Sequence, residues 1–133
     1  MKKLLGIDYG DSRIGIAIGD LGSIAVPYSV LKAGDAFWDE LGQIIRDEHI
    51  AELVVGWPLS LSGRENERTE ATKHFLKLAR ERTGLPVHIE DERLTTVQAG
   101  RNSVGKARID AAAAATILQS YIDSHADRSR HTL

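Results

Sequence analysis

Acidic residues in three places carry the chemistry this chain could do: Asp8, the run Glu90, Asp91, Glu92, and Asp110. Asp8 follows the apolar residues Leu4 to Ile7 and precedes Tyr9 and Gly10, so it falls at the carboxyl end of a first strand. Open α/β sheets present ligand-binding groups there, although a lone aspartate in that place is more often a turn or cap residue. Glu90, Asp91 and Glu92 close another apolar strand. Three adjacent carboxylates repel one another unless a cation offsets them, and Arg93 beside them could do so as a simple ion pair. Asp110 stands before Ala111 to Ala115 as an N-cap would, yet it also shares the inward side of Ala114 and Ile117.

Gathered at one sheet edge, Asp8, an acid of the 90–92 run and Asp110 would offer the hard oxygen ligands that Mg²⁺ or Mn²⁺ prefers. Paired ions of that kind activate water and stabilise the leaving oxygen in phosphodiester hydrolysis, so no separate protein nucleophile is needed. Asp91 alternates with Val87 and Ile89 along its strand, and parity alone does not exclude it as the ligand.

The elements that must position these acids follow from hydrophobic period. Lys3 to Asp8 reads as a strand, and Ile14, Ile16 and Ile18 alternate with Gly15, Ala17 and Gly19 in a second. The two form a hairpin whose second strand has one bulky face and one nearly bare one. Ala25 to Leu31 is a third strand, pushed to the edge by Pro27. Phe37, Leu41, Ile44 and Ile45 trace one helix face, and Leu53 to Val55 a buried strand. Ser60 to Asn66 is a polar loop. Ala71, Phe75, Leu78 and Ala79 mark a second helix closed by Gly84 and Pro86, and Val87 to Glu92 is the fifth strand. A short helical piece near Val97 and a loop from Asn102 to Arg108 lead to a last helix that begins at Asp110, with Ala114, Ile117, Leu118, Tyr121 and Ile122 as its apolar stripe. The order predicts an α/β fold with a mixed five-stranded sheet and helices on both faces.

The whole chain, 133 residues with 42% hydrophobic content, suits one domain. It has no cysteine, which excludes disulfides and thiolate zinc sites and fits a cytoplasmic location, and no apolar stretch suits a membrane. A net charge of -2 does not announce a nucleic-acid binder, so any phosphate-binding surface must be local. Arg64 and Arg68, the group Arg93, Arg101, Lys106 and Arg108, and the pair Arg128 and Arg130 are the candidates; singly, each reads as a solvated face. From His125 onward the residues are polar, which reads as a flexible tail over 125–133 behind a domain over 1–124.

Four stretches, GIDYGDSRIGIAIGD, VVGWPLSLSG, EDERLTT and IDAAAAATILQSYI, resemble the YqgF family, also called RuvX, in its order and spacing from about residue 3 to residue 122. The resemblance implies a ribonuclease H-like fold, kinship with Holliday-junction resolvases of the RuvC type, and a nuclease maturing the 5′ end of pre-16S ribosomal RNA. It implies Asp8, Glu92 and Asp110 as catalytic metal ligands, with Asp91 of the same motif second to Glu92, and Arg13, Arg93, Lys106 and Arg108 as basic residues toward nucleic acid. Thr95 and Thr96 suit a cap of the following helix. One departure stands out: Trp57, Pro58, Leu59, Ser60 replaces the family's leucine, proline, leucine, asparagine, so an amide contact is lost, and Trp57 either stacks on a base or packs in the core.

The rivals are weaker. Asp8 to Gly15 also resembles the first phosphate loop of actin-like ATPases and sugar kinases, which clamp a nucleotide between two such domains where this chain supplies one. A catalytically weak binding module is opposed by the acid triad. Ser60 and Ser62 lack a nucleophile elbow, and the five histidines lack close zinc-ligand spacing. RNA and a four-way DNA junction present the same phosphates to the metals and are not separated by sequence. A homodimer stays open too: a junction resolvase usually needs two active sites, so a monomer would favour RNA.

Overall fold

The computed structural model describes residues 2–57, 67–91 and 106–131. Five strands, β1 (Lys3–Tyr9), β2 (Arg13–Asp20), β3 (Val26–Lys32), β4 (Ile50–Trp57) and β5 (Val87–Asp91), are joined by helices α1 (Phe37–Glu48) and α2 (Glu67–Thr83) and followed by α3 (Lys106–His131). The strands lie in the order β3-β2-β1-β4-β5. β1 is antiparallel to β2, and β2 to β3, whereas β4 runs parallel to both β1 and β5. The sheet is therefore mixed, with the expected hairpin at its centre and Pro27 on the edge strand.

Alternation splits the core in two. Leu5, Ile7, Ile14, Ile16, Ile18, Leu53 and Val55 face α1 and α2, where they meet Phe37, Leu41, Phe75, Leu76 and Ala79. The opposite face carries Leu4, Ala17 and Val54 and receives Ala114, Ile117, Leu118, Tyr121 and Ile122 of α3. That second face is the bare one of the sequence. A methyl added at Gly6 would come within 2.8 Å of Leu118 Cβ, and one at Gly19 within 3.2 Å of Ile122 Cδ1, so the missing side chains form the trough in which α3 lies. Gln119 Oε1 also accepts the Ala25 amide at 2.8 Å, fixing α3 against the approach to β3.

One expected boundary is corrected. α3 begins at Lys106 rather than Asp110, because Lys106, Ala107 and Arg108 are themselves good helix formers after Gly105; Lys106 and Arg108 thus lie in a first turn, not a loop. The helix runs on to His131, into the polar segment that begins at His125. Stacking of His125 on Tyr121 at 3.9 Å helps extend it beyond the apolar stripe. The loop read at 60–66, the helical piece near Val97 and the loop read at 102–105 lie outside the described residues. Among the described residues no helix is long and apolar enough to cross a membrane.

Candidate functional site

Asp8 lies near the end of the central strand, on the face that α3 covers, since Leu4, Gly6 and Asp8 alternate with Leu5 and Ile7. Its partner across the hairpin is Gly15. Over that glycine sits the second turn of α3: a Cβ at Gly15 would lie 2.0 Å from the Asp110 carbonyl oxygen and 2.4 Å from its carbon. Residues paired directly across an antiparallel ladder have their Cα atoms about 5 Å apart. The absence of one side chain therefore brings the backbone of Asp110 to within about a strand spacing of Asp8.

Arg13 opens β2 on the same face, two residues before Gly15, and its Nε lies 3.3 Å from Asp110 Oδ2. The turn leading to it is tight, because a Cβ at Gly10 would meet the Arg13 carbonyl oxygen at 2.6 Å. Lys32 of β3 stands in register with Arg13 and adds a second positive residue to that row. Aromatic packing supports the strand end from behind: Tyr9 stacks on Phe75 at 4.5 Å, and Trp38 on Phe75 at 5.4 Å.

The ladder separates the acids at the end of β5. Gly56 pairs with Glu90, and Trp57 with Asp91. Glu90 therefore shares the α3 face with Asp8, and its carboxylate accepts a 2.9 Å hydrogen bond from Ser120 Oγ of α3. Asp91 falls on the opposite face with Val87 and Trp57, which sets it apart from Asp8 and Asp110. Trp57 packs against the core beneath α1 and α2. Glu92 and Arg93, like Ser60, lie outside the described residues. Among the described residues, no three carboxylate or histidine side chains gather as a metal-holding group. Arg13 and Asp110 are joined as an ion pair, and the backbone of Asp110 lies over Gly15, the cross-strand partner of Asp8.

The fit to a divalent ion can be judged from that pair of acids. Both supply hard oxygen donors, and the guanidinium at Asp110 shows that a positive charge is already accommodated there. At the other end of the same face, Glu52 joins His88 and Lys2. These hydrogen bonds, His88 first, hold the Glu52 carboxyl below the ordinary glutamate range. His88 also packs on Tyr121 at 5.2 Å, so this cluster anchors the far part of α3 to the sheet.

A family model described as RuvX, Holliday junction resolvase, matches residues 2–124. The chain belongs to the RuvX family. Relatives of this RuvX chain include a protein of Oenococcus oeni named "Putative pre-16S rRNA nuclease", 36% identical, with 91% of this chain and 94% of the relative covered. A protein of the same name from Ruminiclostridium cellulolyticum is 38% identical, again covering 91% and 94%. Among solved structures, Thermus thermophilus RuvC in complex with Holliday junction substrate aligns with a TM-score of 0.61 at 15% identity, over 94% of this chain and 96% of that one. That likeness concerns the fold, which is ribonuclease H-like.

Within the RuvX chain, sequence reasoning named Asp8, Asp110 and Arg13 but did not foresee that Arg13 and Asp110 form an ion pair. It also passed over Glu90, whose place on the Asp8 face follows from the register of β4 against β5. The Gly15–Ala17–Gly19 alternation was the available signal for the trough, and a trough implies a helix seated in it.

Proposed function

We propose that this protein is a divalent-metal-dependent nuclease that hydrolyses phosphodiester bonds of structured RNA, with the 5′ end of pre-16S ribosomal RNA as its substrate. The observation that carries the reading is the seating of Asp110 over Gly15 beside Asp8. The names of its relatives, at 36–38% identity over nearly the whole chain, support RNA as the substrate class. Asp8, Asp110 and Glu92 would hold one or two Mg²⁺ or Mn²⁺ ions, which supply water activation and charge stabilisation at the phosphate. Arg13, Arg93, Lys106 and Arg108 would bind backbone phosphates and hold the strand in register. Lys106 and Arg108 belong to the first turn of α3.

The description of the family model gives a second reading, cleavage of four-way DNA junctions. Incubating the protein with labelled RNA hairpins carrying a precursor-like 5′ extension, linear DNA and a four-way junction, each with Mn²⁺, Mg²⁺ or chelator, separates the two. The expected result is metal-dependent cutting of the RNA, abolished in Asp8→Asn with the fold intact. Preferential cutting of the junction would replace the RNA reading, and cutting retained in Asp8→Asn would remove the assignment of this acid. A metal-independent binder without cleavage would favour a binding module.

A further inference from the structure

Arg13 occupies an unusual position for a residue that is only to bind phosphate. Its Nε lies 3.3 Å from Asp110 Oδ2, while the two side chains remain 36% and 26% exposed. Its backbone is held by the tight turn at Gly10 and by the ladder to Lys32. The free protein thus sets its own cation on a carboxylate expected to hold a divalent ion. Two cations at one carboxylate oxygen repel, so the guanidinium and the ion compete for Asp110. An ion pair this exposed is weak and easily exchanged, and a guanidinium's fork of donors matches a phosphate as well as a carboxylate.

We infer that Arg13 is a positioning residue that couples metal binding to nucleic-acid binding. Paired with Asp110 in the free protein, it weakens the hold on the divalent ion; turned onto a strand phosphate, it frees Asp110 to take the ion. The inference rests on the metal-nuclease reading and adds to it an order of assembly. Linkage makes the effect reciprocal, so metal must strengthen strand binding by the same factor by which the strand strengthens metal binding.

The test measures Mn²⁺ binding to the protein without nucleic acid by electron paramagnetic resonance, in the wild type, Arg13→Gln, Arg13→Lys and Asp8→Asn. Arg13→Gln is expected to bind Mn²⁺ about two- to fivefold more tightly, the range that an exposed ion pair can contribute. Arg13→Lys keeps the charge and should stay within about twofold of the wild type. A merely structural role would have the opposite sign, since a loosened Asp110 would bind the metal less well. In a second arm, fluorescence anisotropy follows binding of an RNA hairpin with and without Mn²⁺; the strengthening by metal seen in the wild type should shrink in Arg13→Gln. Equal or weaker Mn²⁺ binding by Arg13→Gln, with binding lost in Asp8→Asn, would overturn the inference and leave the metal site standing. Mn²⁺ binding unaffected by Asp8→Asn would remove the metal reading and the inference together.

Discussion

Replacing Gly15 by alanine probes the contact on which the site depends. The added methyl would stand 2.0 Å from the Asp110 carbonyl oxygen and 3.1 Å from the Ala111 amide nitrogen, both backbone atoms that cannot rotate away. Ordinary contact begins at 3.4 Å, so the start of α3 must withdraw by roughly 1.4 Å, or β2 must bend by as much. Forcing one such group into a packed interface costs about 1–3 kcal/mol. At roughly 4 °C per kcal/mol for a domain of this size, the melting temperature should fall by about 4–12 °C. The displacement also carries Asp110 away from Asp8, and a misplacement of about 1 Å can cost on the order of a hundredfold in rate. Differential scanning calorimetry and Mn²⁺ titration, both on Gly15→Ala, read the two effects separately. A variant that melts with the wild type and binds Mn²⁺ equally would refute both the seating of α3 on Gly15 and its role in bringing the acids together.

Gly42 provides the contrary case, since it lies inside α1 with only the mobile end of Arg46 at 3.4 Å; Gly42→Ala should stabilise by about 0.5–1 kcal/mol in thermal melts. Leu118→Ala empties a fully buried position against Gly6 and should cost about 2–5 kcal/mol in urea unfolding. Glu52 has a depressed folded-state pKa, so its contribution is present above the ordinary glutamate value near 4.5 and is lost as pH falls through the lower folded value. Glu52→Gln should therefore be less stable than the wild type at pH 7, with the gap closing in acid below that range; a gap independent of pH would contradict the reasoning. Replacing Lys106 and Arg108 together by glutamine should weaken RNA binding and reduce the slope of log affinity against log salt by about 1.4–1.8, as measured by anisotropy.

Much of the architecture is legible because it depends on short-range periodicity. The isoleucines of β2 mark the face toward α1 and α2, the glycines opposite them mark the trough, and the spacing of Phe37, Leu41, Ile44 and Ile45 marks α1. The limits of α3 were less legible. Asp110 looks like a cap by residue type, but Lys106 to Arg108 carry enough helix propensity to start the helix a turn earlier. Asp91 illustrates what pattern alone leaves open: adjacent acids occupy opposite faces, and only the pairing of Asp91 with Trp57 decides which face is whose. The pairs Arg13–Asp110 and Glu52–His88 join residues distant in sequence, and no local signal announces them.

The proposed metal site requires Asp8 and Asp110 to hold the same ion. A crystal structure of the protein grown with Mn²⁺, with anomalous diffraction data, addresses this directly. The predicted result is a manganese peak in contact with carboxylate oxygens of both Asp8 and Asp110, with Arg13 moved off Asp110. A peak that touches neither acid, or no peak at Mn²⁺ concentrations that support cleavage, would contradict it.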